Sequence, residues 1–209
     1  PTLRRQRQMC IRDSHNPLPT SATIKAKSKV TGLVDKGADK GALILTERTL
    51  KDAESGLDLA TLTSTTFARG NGGYDGPSDE APRPHKVPER EPDFAVDLTT
   101  LDMAALIYRL SGDYNPLHAS PSVARAAGFP KPILHGLCSL GVAGHAILKG
   151  CCDYDAKRLK SLQLRFSSPV YPGETMRTEI WRDGANISFK SKIVERDVVV
   201  LDNGHATVE

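Results

Sequence analysis

No apolar run in this sequence reaches the roughly 18 residues of a helical membrane span, which excludes a spanning helix. No apolar segment of the secretory kind opens the chain. Cysteines number four in 209 residues, too few for a disulfide scaffold. Cys151 and Cys152 are adjacent, a spacing that rarely bridges, and Cys138 falls within an apolar helical run, where it packs as a small hydrophobe. No C-x-x-C with a matching histidine pair is present, so a structural zinc is not expected. A reducing compartment is the simplest reading of this cysteine usage. Aromatic residues are also scarce, at 5%. The net charge of +3 is small and local. Arg4, Arg5, Arg7 and Arg12 against Asp13 account for it, leaving residues 15–209 without net charge. A general polyanion-binding surface is therefore not expected, and nucleic-acid binding is the weakest functional reading.

What is present divides the chain. Residues 1–14 are basic and lack a hydrophobic period; QRQMCIRDS reads as translated adapter text, or as a natural disordered arm. They are expected to be a foreign or disordered leader outside the fold. Residues 15–76 read as strands. Ile24, Ala26, Ser28 and Val30 alternate with Lys25, Lys27 and Lys29, predicting a half-buried strand. Asp35-Lys36-Gly37 is a turn, Ala42–Thr46 a second strand, and Thr-rich Leu57–Phe67 a third. Residues 77–93 hold five of the fourteen prolines among many charges and read as a linker.

Residues 94–209 differ in kind. A short strand at Phe94–Leu98 precedes an apolar helical stretch at Leu101–Leu110, which Ser111-Gly112-Asp113 stops and Pro116 does not allow to resume. Pro121–Ala127 is a short helix with proline in its first turn. Gly136–Lys149 is the main helix, with Leu137, Leu140, Gly144 and Ile147 on one face. Each interior glycine costs about 1 kcal/mol of helix propensity, which makes sense if the helix approaches another backbone closely. Alternating strands follow, beginning near Ser161–Val170 and separated by turns at Pro172-Gly173, Asp183-Gly184 and Asn203-Gly204. A slim helix wrapped by a curved antiparallel sheet is the hot-dog arrangement. The fold class is α+β, and the first half carries strands without the helix.

The densest group of chemically useful residues is Tyr108–His118, YRLSGDYNPLH. Asp113 and His118, with Asn115 between them and Pro116 blocking a helix, form a rigid loop that can aim a carboxylate and an imidazole at one water. The same text also describes a helix C-terminus with an Asx turn and a surface histidine. Pro130–Gly136, PKPILHG, leads into the main helix, where the Gly136 N–H is open to a developing oxyanion. His135 beside it reads as a hydrogen-bonded structural histidine.

YRLSGDYNPLH, AGFPKPILHGL and RFSSPVYPGETMRTEIW together closely resemble the (R)-specific 2-enoyl-CoA hydratases, hydratase 2 of the MaoC-like family. The resemblance runs from about Asn16 to near the C-terminus, with its specific part at residues 108–181. It implies a double hot-dog fold with a catalytic C-terminal half. It implies Asp113 and His118 as the acid–base pair, Asn115 as the residue orienting water or thioester, and Gly136 as the oxyanion donor. It also implies substrate contacts at Lys36, Tyr114, Pro116, Leu117 and Phe166. On the residues alone, Lys36 is an exposed turn lysine and Phe166 a core aromatic. The expected partner is an acyl-CoA thioester, with no metal or redox cofactor because CoA belongs to the substrate. A homodimer is expected for the complete protein, with no nucleic-acid or membrane partner, in the cytoplasm or, for a eukaryotic chain, the peroxisome.

The expected reaction is reversible hydration of trans-2-enoyl-CoA to (R)-3-hydroxyacyl-CoA. Two other readings stay open: a hot-dog acyl-CoA thioesterase, which would release free CoA, and an acyl-CoA-binding module that turns nothing over. Family members begin with a further segment that includes the first half's own helix, so the chain reads as truncated at its start. The similarity is expected to begin at Pro17-Leu18-Pro19. By the order seen in the second half, the first helix should end shortly before Thr23. Residues 24–67 should then present an apolar sheet face without a helix, giving aggregation, dye binding or weak activity.

Overall fold

The computed structural model describes residues 8–78 and 83–209, with side chains described from Asp13 onward. Nine strands form one antiparallel sheet in the order β2-β3-β4-β1-β6-β9-β8-β7-β5. The first four are β1 (Gln8–Ser14), β2 (Ile24–Asp35), β3 (Ala42–Asp52) and β4 (Asp58–Ala68). The other five are β5 (Phe94–Thr99), β6 (Leu159–Phe166), β7 (Thr175–Asp183), β8 (Asn186–Ile193) and β9 (Val198–Val208). Three helices lie between β5 and β6: α1 (Ala104–Tyr108), α2 (Pro121–Ala126) and α3 (Gly136–Cys151).

The second half is a hot dog built around α3. Leu140, Ala143, Ala146 and Ile147 are buried on one helix face, and the helix packs on β5, β6 and β7. The sheet answers with Leu164, Met176, Ile180, Ile187, Phe189 and Ile193, all almost fully buried. Burial of each such side chain contributes roughly 1.5–3 kcal/mol. The slim helix is needed unevenly. A Cβ at Gly150 would stand 2.6 Å from the Phe94 ring, whereas one at Gly141 would meet nothing within 4 Å. Leu137, expected on the inner face, is 41% exposed because it sits at the open N-terminal end of α3.

Strands are the regular elements among the described residues of the first half. No helix occurs among the described residues before α1. β2 is the outermost strand of the sheet. The expected half-burial of Ile24, Ala26, Ser28 and Val30 does not hold: all four are exposed, Val30 at 60%. Period-two alternation reports a face able to be buried, and no described element covers that face here. Lys25, Lys27 and Lys29 leave this edge highly charged, as edge strands often are.

The leader expectation is corrected in part. Gln8–Ser14 is a strand inserted between β4 and β6, in register from Gln8↔Thr66 to Ser14↔Ala60 on one side and Met9↔Arg165 to Asp13↔Ser161 on the other. It is the seam joining the two halves of the sheet. The physical reason is that a ladder is made by backbone N–H and C=O groups, which any proline-free segment supplies. Residues 1–7 lie outside the described residues, as do residues 79–82 of the linker. Residues 83–93 cross the sheet of the second half. His85 bonds Ser188 Oγ at 2.8 Å and its carbonyl accepts from Asn203 Nδ2 at 2.7 Å. The Trp181 indole N–H donates to the Arg90 carbonyl at 2.7 Å.

Candidate active site

The site grows from the end of α1. The chain continues as a 3-10 turn over Arg109–Ser111 and stops at Gly112, whose φ of +103° favours glycine. The reversal presents Asp113, Tyr114 and Asn115 as an exposed loop. Asp113 Oδ1 accepts the Asn115 N–H at 3.2 Å. Asn115 Oδ1 accepts the Leu117 N–H at 3.1 Å and caps a second 3-10 turn, Pro116–His118, with proline at its start. The Asx turn is therefore real, and it commits the Asn115 carboxamide oxygen to the backbone. The histidine that follows is not on the surface: His118 is only 9% exposed.

His118 is oriented by a backbone carbonyl. Its Nδ1 lies 2.8 Å from Ile133 O, so Nδ1 carries the proton as donor and Nε2 is left as the basic nitrogen of the neutral ring. Pro130 and Pro132 stiffen the segment bearing Ile133, and the Leu134 N–H donates to Val170 O at 2.7 Å, pinning it to the sheet.

Gly136 is the first residue of α3. With no carbonyl four residues back inside the helix, its N–H projects from the N-terminus with the positive end of the dipole. A Cβ here would stand 3.3 Å from the Phe166 ring, so glycine lets the end of β6 approach the helix start. Phe166 thus joins the site from the sheet and is half-buried. Pro116 is exposed and Leu117 half-buried in the turn before His118. Tyr114 is 64% exposed, with the Arg109 guanidinium 5.5 Å from its ring centre. Lys36 belongs to the other half: it lies in the turn after β2, with Nζ 3.3 Å from Ser78 O.

His135 is hydrogen-bonded, as its sequence reading expects, while its place against His118 carries no sequence signal. It is 1% exposed, stacks on His118 with ring centres 3.8 Å apart, and its Nε2 lies 3.2 Å from Asp113 O. Burial first, and the neighbouring His118 charge second, hold its pKa below the ordinary histidine value. Candidate ligand atoms of Asp113, His118 and His135 lie within 4.8 Å of one another, close enough to share one ion. One nitrogen of each imidazole is already engaged by a backbone carbonyl. No helix among the described residues is long and apolar enough to cross a membrane.

Comparison with known proteins places this arrangement. The MaoC like domain matches residues 84–204, and the MFE-2 hydratase 2 N-terminal domain matches residues 6–70. The second match begins inside the segment expected to lie outside the family, ahead of Pro17. The chain is 42% identical over 196 residues to 3-hydroxyacyl-thioester dehydratase Y of Mycobacterium tuberculosis, covering 91% of this chain and 68% of that protein. It is 40% identical over 196 residues to the peroxisomal enoyl-CoA hydratase 2 of Arabidopsis thaliana, covering 90% of this chain and 63% of that protein. The crystal structure of a MaoC-like dehydratase from Phytophthora capsici superposes with a TM-score of 0.90 at 40% identity, over 97% of this chain and 70% of the other. The relatives thus include a bacterial and a peroxisomal protein, and the chain spans about two thirds of their lengths. With the hydratase 2 and MaoC matches in chain order and a relative above 40% identity, this chain belongs to the MaoC-like hydratase 2 family.

Proposed function

We propose that the site carries out reversible hydration of a trans-2-enoyl-CoA to the (R)-3-hydroxyacyl-CoA. The observation that carries this reading is the 2.8 Å contact between His118 Nδ1 and the Ile133 carbonyl oxygen. Donation from Nδ1 to Ile133 O leaves Nε2 as a base, beside the exposed Asp113 carboxylate. Two proton-transfer groups and no nucleophile suit addition of water better than acyl transfer.

In the forward direction Asp113 and His118 hold one water. Its oxygen attacks C3, and the C2–C3 π electrons move toward the thioester carbonyl. The water's proton passes to the pair, and the pair delivers a proton to C2 on the same face. The product has a new C3–O bond and a new C2–H bond, and the pair returns to its starting protonation. Negative charge gathered on the thioester oxygen is met by the Gly136 N–H. Asn115 orients the water or thioester, and Tyr114, Pro116, Leu117 and Phe166 wall the acyl end. Lys36 contacts the substrate from the first half. The reading needs no metal or redox group, since CoA arrives with the substrate.

The test follows loss of the conjugated enoyl thioester on a medium-chain substrate, with a thiol trap present. Hydration predicts loss of the conjugated absorbance with no free thiol. Release of free thiol would instead support a thioesterase, and binding without turnover a non-catalytic module.

A further inference from the structure

The mechanism leaves unused a buried histidine that packs against the Asp113–His118 loop. His135 precedes the first residue of α3, and its carbonyl accepts from the Ser139 N–H at 3.1 Å and from Ser139 Oγ at 3.4 Å. Its backbone thus anchors the helix start, while its side chain turns the other way. Nε2 donates to the backbone carbonyl of Asp113. One ring face stacks on His118 with 26° between planes. The Tyr108 ring lies 4.7 Å away at 43°. Nδ1 has no hydrogen-bond partner among the described residues.

A ring chosen only to fill this space would serve better as phenyl, which buries no unpartnered nitrogen. What imidazole adds is the Nε2–H, directed at the residue that bears the carboxylate. Resting on the hydratase reading, we infer that His135 is a positioning residue that sets the geometry between Asp113 and His118. It acts on Asp113 through that residue's backbone carbonyl and on His118 through the face of its ring. It does not touch substrate. Burial first, and His118 second, hold the His135 pKa below the ordinary histidine value. Asp113 favours its charged form, while Arg109 and His118 oppose it.

The experiment uses the 209-residue chain with three variants. His135→Phe keeps a ring face and loses the donor. His135→Gln keeps a donor and loses the ring. His135→Leu loses both. Misplacing a catalytic group costs up to about a hundredfold, so His135→Leu should lower kcat by about that factor with KM little changed. His135→Phe and His135→Gln should each lose less. In an Asp113→Asn background, His135→Phe should cost little more, because the group it positions is already gone.

A second readout is the imidazole 15N spectrum. The parent should show His118 as the single Nδ1–H tautomer, and His135→Leu a mixture of tautomers. A lowered melting temperature with unchanged kcat per folded molecule and an unchanged His118 tautomer would make His135 merely structural and overturn the inference. If His135→Leu does not fold, the Phe and Gln variants decide by the same criteria. If the parent itself does not hydrate enoyl-CoA, the hydratase reading fails. The tautomer spectrum then decides separately whether His135 orients His118, and an unchanged tautomer overturns that too.

Discussion

The two halves of the sheet are built from similar strands and differ in what lies on them. In the second half α3 packs on β5, β6 and β7, and one hydrophobic cluster draws residues from Val96 through Val208. In the first half no described helix lies on the strands, and Ile24, Val30, Leu33 and Leu57 are between 43% and 60% exposed. One polar feature of this half is a clamp. The Asp35 carboxylate accepts the N–H groups of Gly37 and Gly73 at 2.8 Å and of Asp75 at 3.0 Å, tying two loops together. The comparison teaches that strand pairing alone specifies a sheet, whereas a helix on its face makes a core and, at the helix N-terminus, a site. The loop bearing Asp113 and His118 belongs entirely to the half that has the helix.

The sharpest way to break the comparison is at that loop. Asp113→Asn and His118→Gln should each lower turnover by about 10²–10⁴-fold, the usual loss for acid–base catalysis, while the melting temperature stays near the parent's. Steady-state rates on a medium-chain enoyl-CoA check this. Near-parent rates from both variants would remove the assignment. Next in size is the core. Phe189→Ala, at a fully buried position, should cost about 3–5 kcal/mol. Val30→Ala in the first half should stay within about 0.5 kcal/mol. Urea titrations compare them, and equal losses would mean that the halves share one core.

These contrasts were only partly legible in the sequence. α3 could be read because Leu140, Gly144 and Ile147 repeat at helical spacing, and the Asp113–His118 loop because Gly112 and Pro116 punctuate it. The Asx turn was readable in Asn115, but the burial of His118 was not, since it depends on a partner fifteen positions away in the chain. The carbonyl of Ile133 that orients His118 carries no side-chain signature at all. His135 was readable as a hydrogen-bonded histidine, and it is one; its stacking on His118 is a tertiary fact. β1 escaped because its place is held by a backbone ladder on both sides. The exposure of β2 escaped because alternation does not say whether anything covers the apolar face.

Two smaller effects sharpen the comparison. The chain should bind a hydrophobic dye under native conditions through the β2 face. Val30→Thr with Leu33→Thr should bind less dye and shift the urea midpoint little; unchanged binding would place the dye elsewhere. The second half should also respond to mild acid. Burial lowers the pKa values of His85, His135 and His205. A histidine whose folded pKa is lowered stabilises the fold fully above its unfolded value of about 6.5 and loses that contribution as pH falls below it. Fluorescence of Trp181, the single tryptophan, which is tied to the linker through Arg90, should report a urea midpoint that declines from about pH 7.5 to about pH 5.5. A flat midpoint would mean that these rings are solvated.

The most direct test of the central claim is the stereochemical course of the reaction in D2O. The chain is incubated with a medium-chain trans-2-enoyl-CoA and the product is resolved by chiral chromatography and NMR. The account predicts an intact thioester with R configuration at C3 and a single deuterium at C2, on the same face as the new hydroxyl. An S product, anti addition or release of free CoA would contradict it.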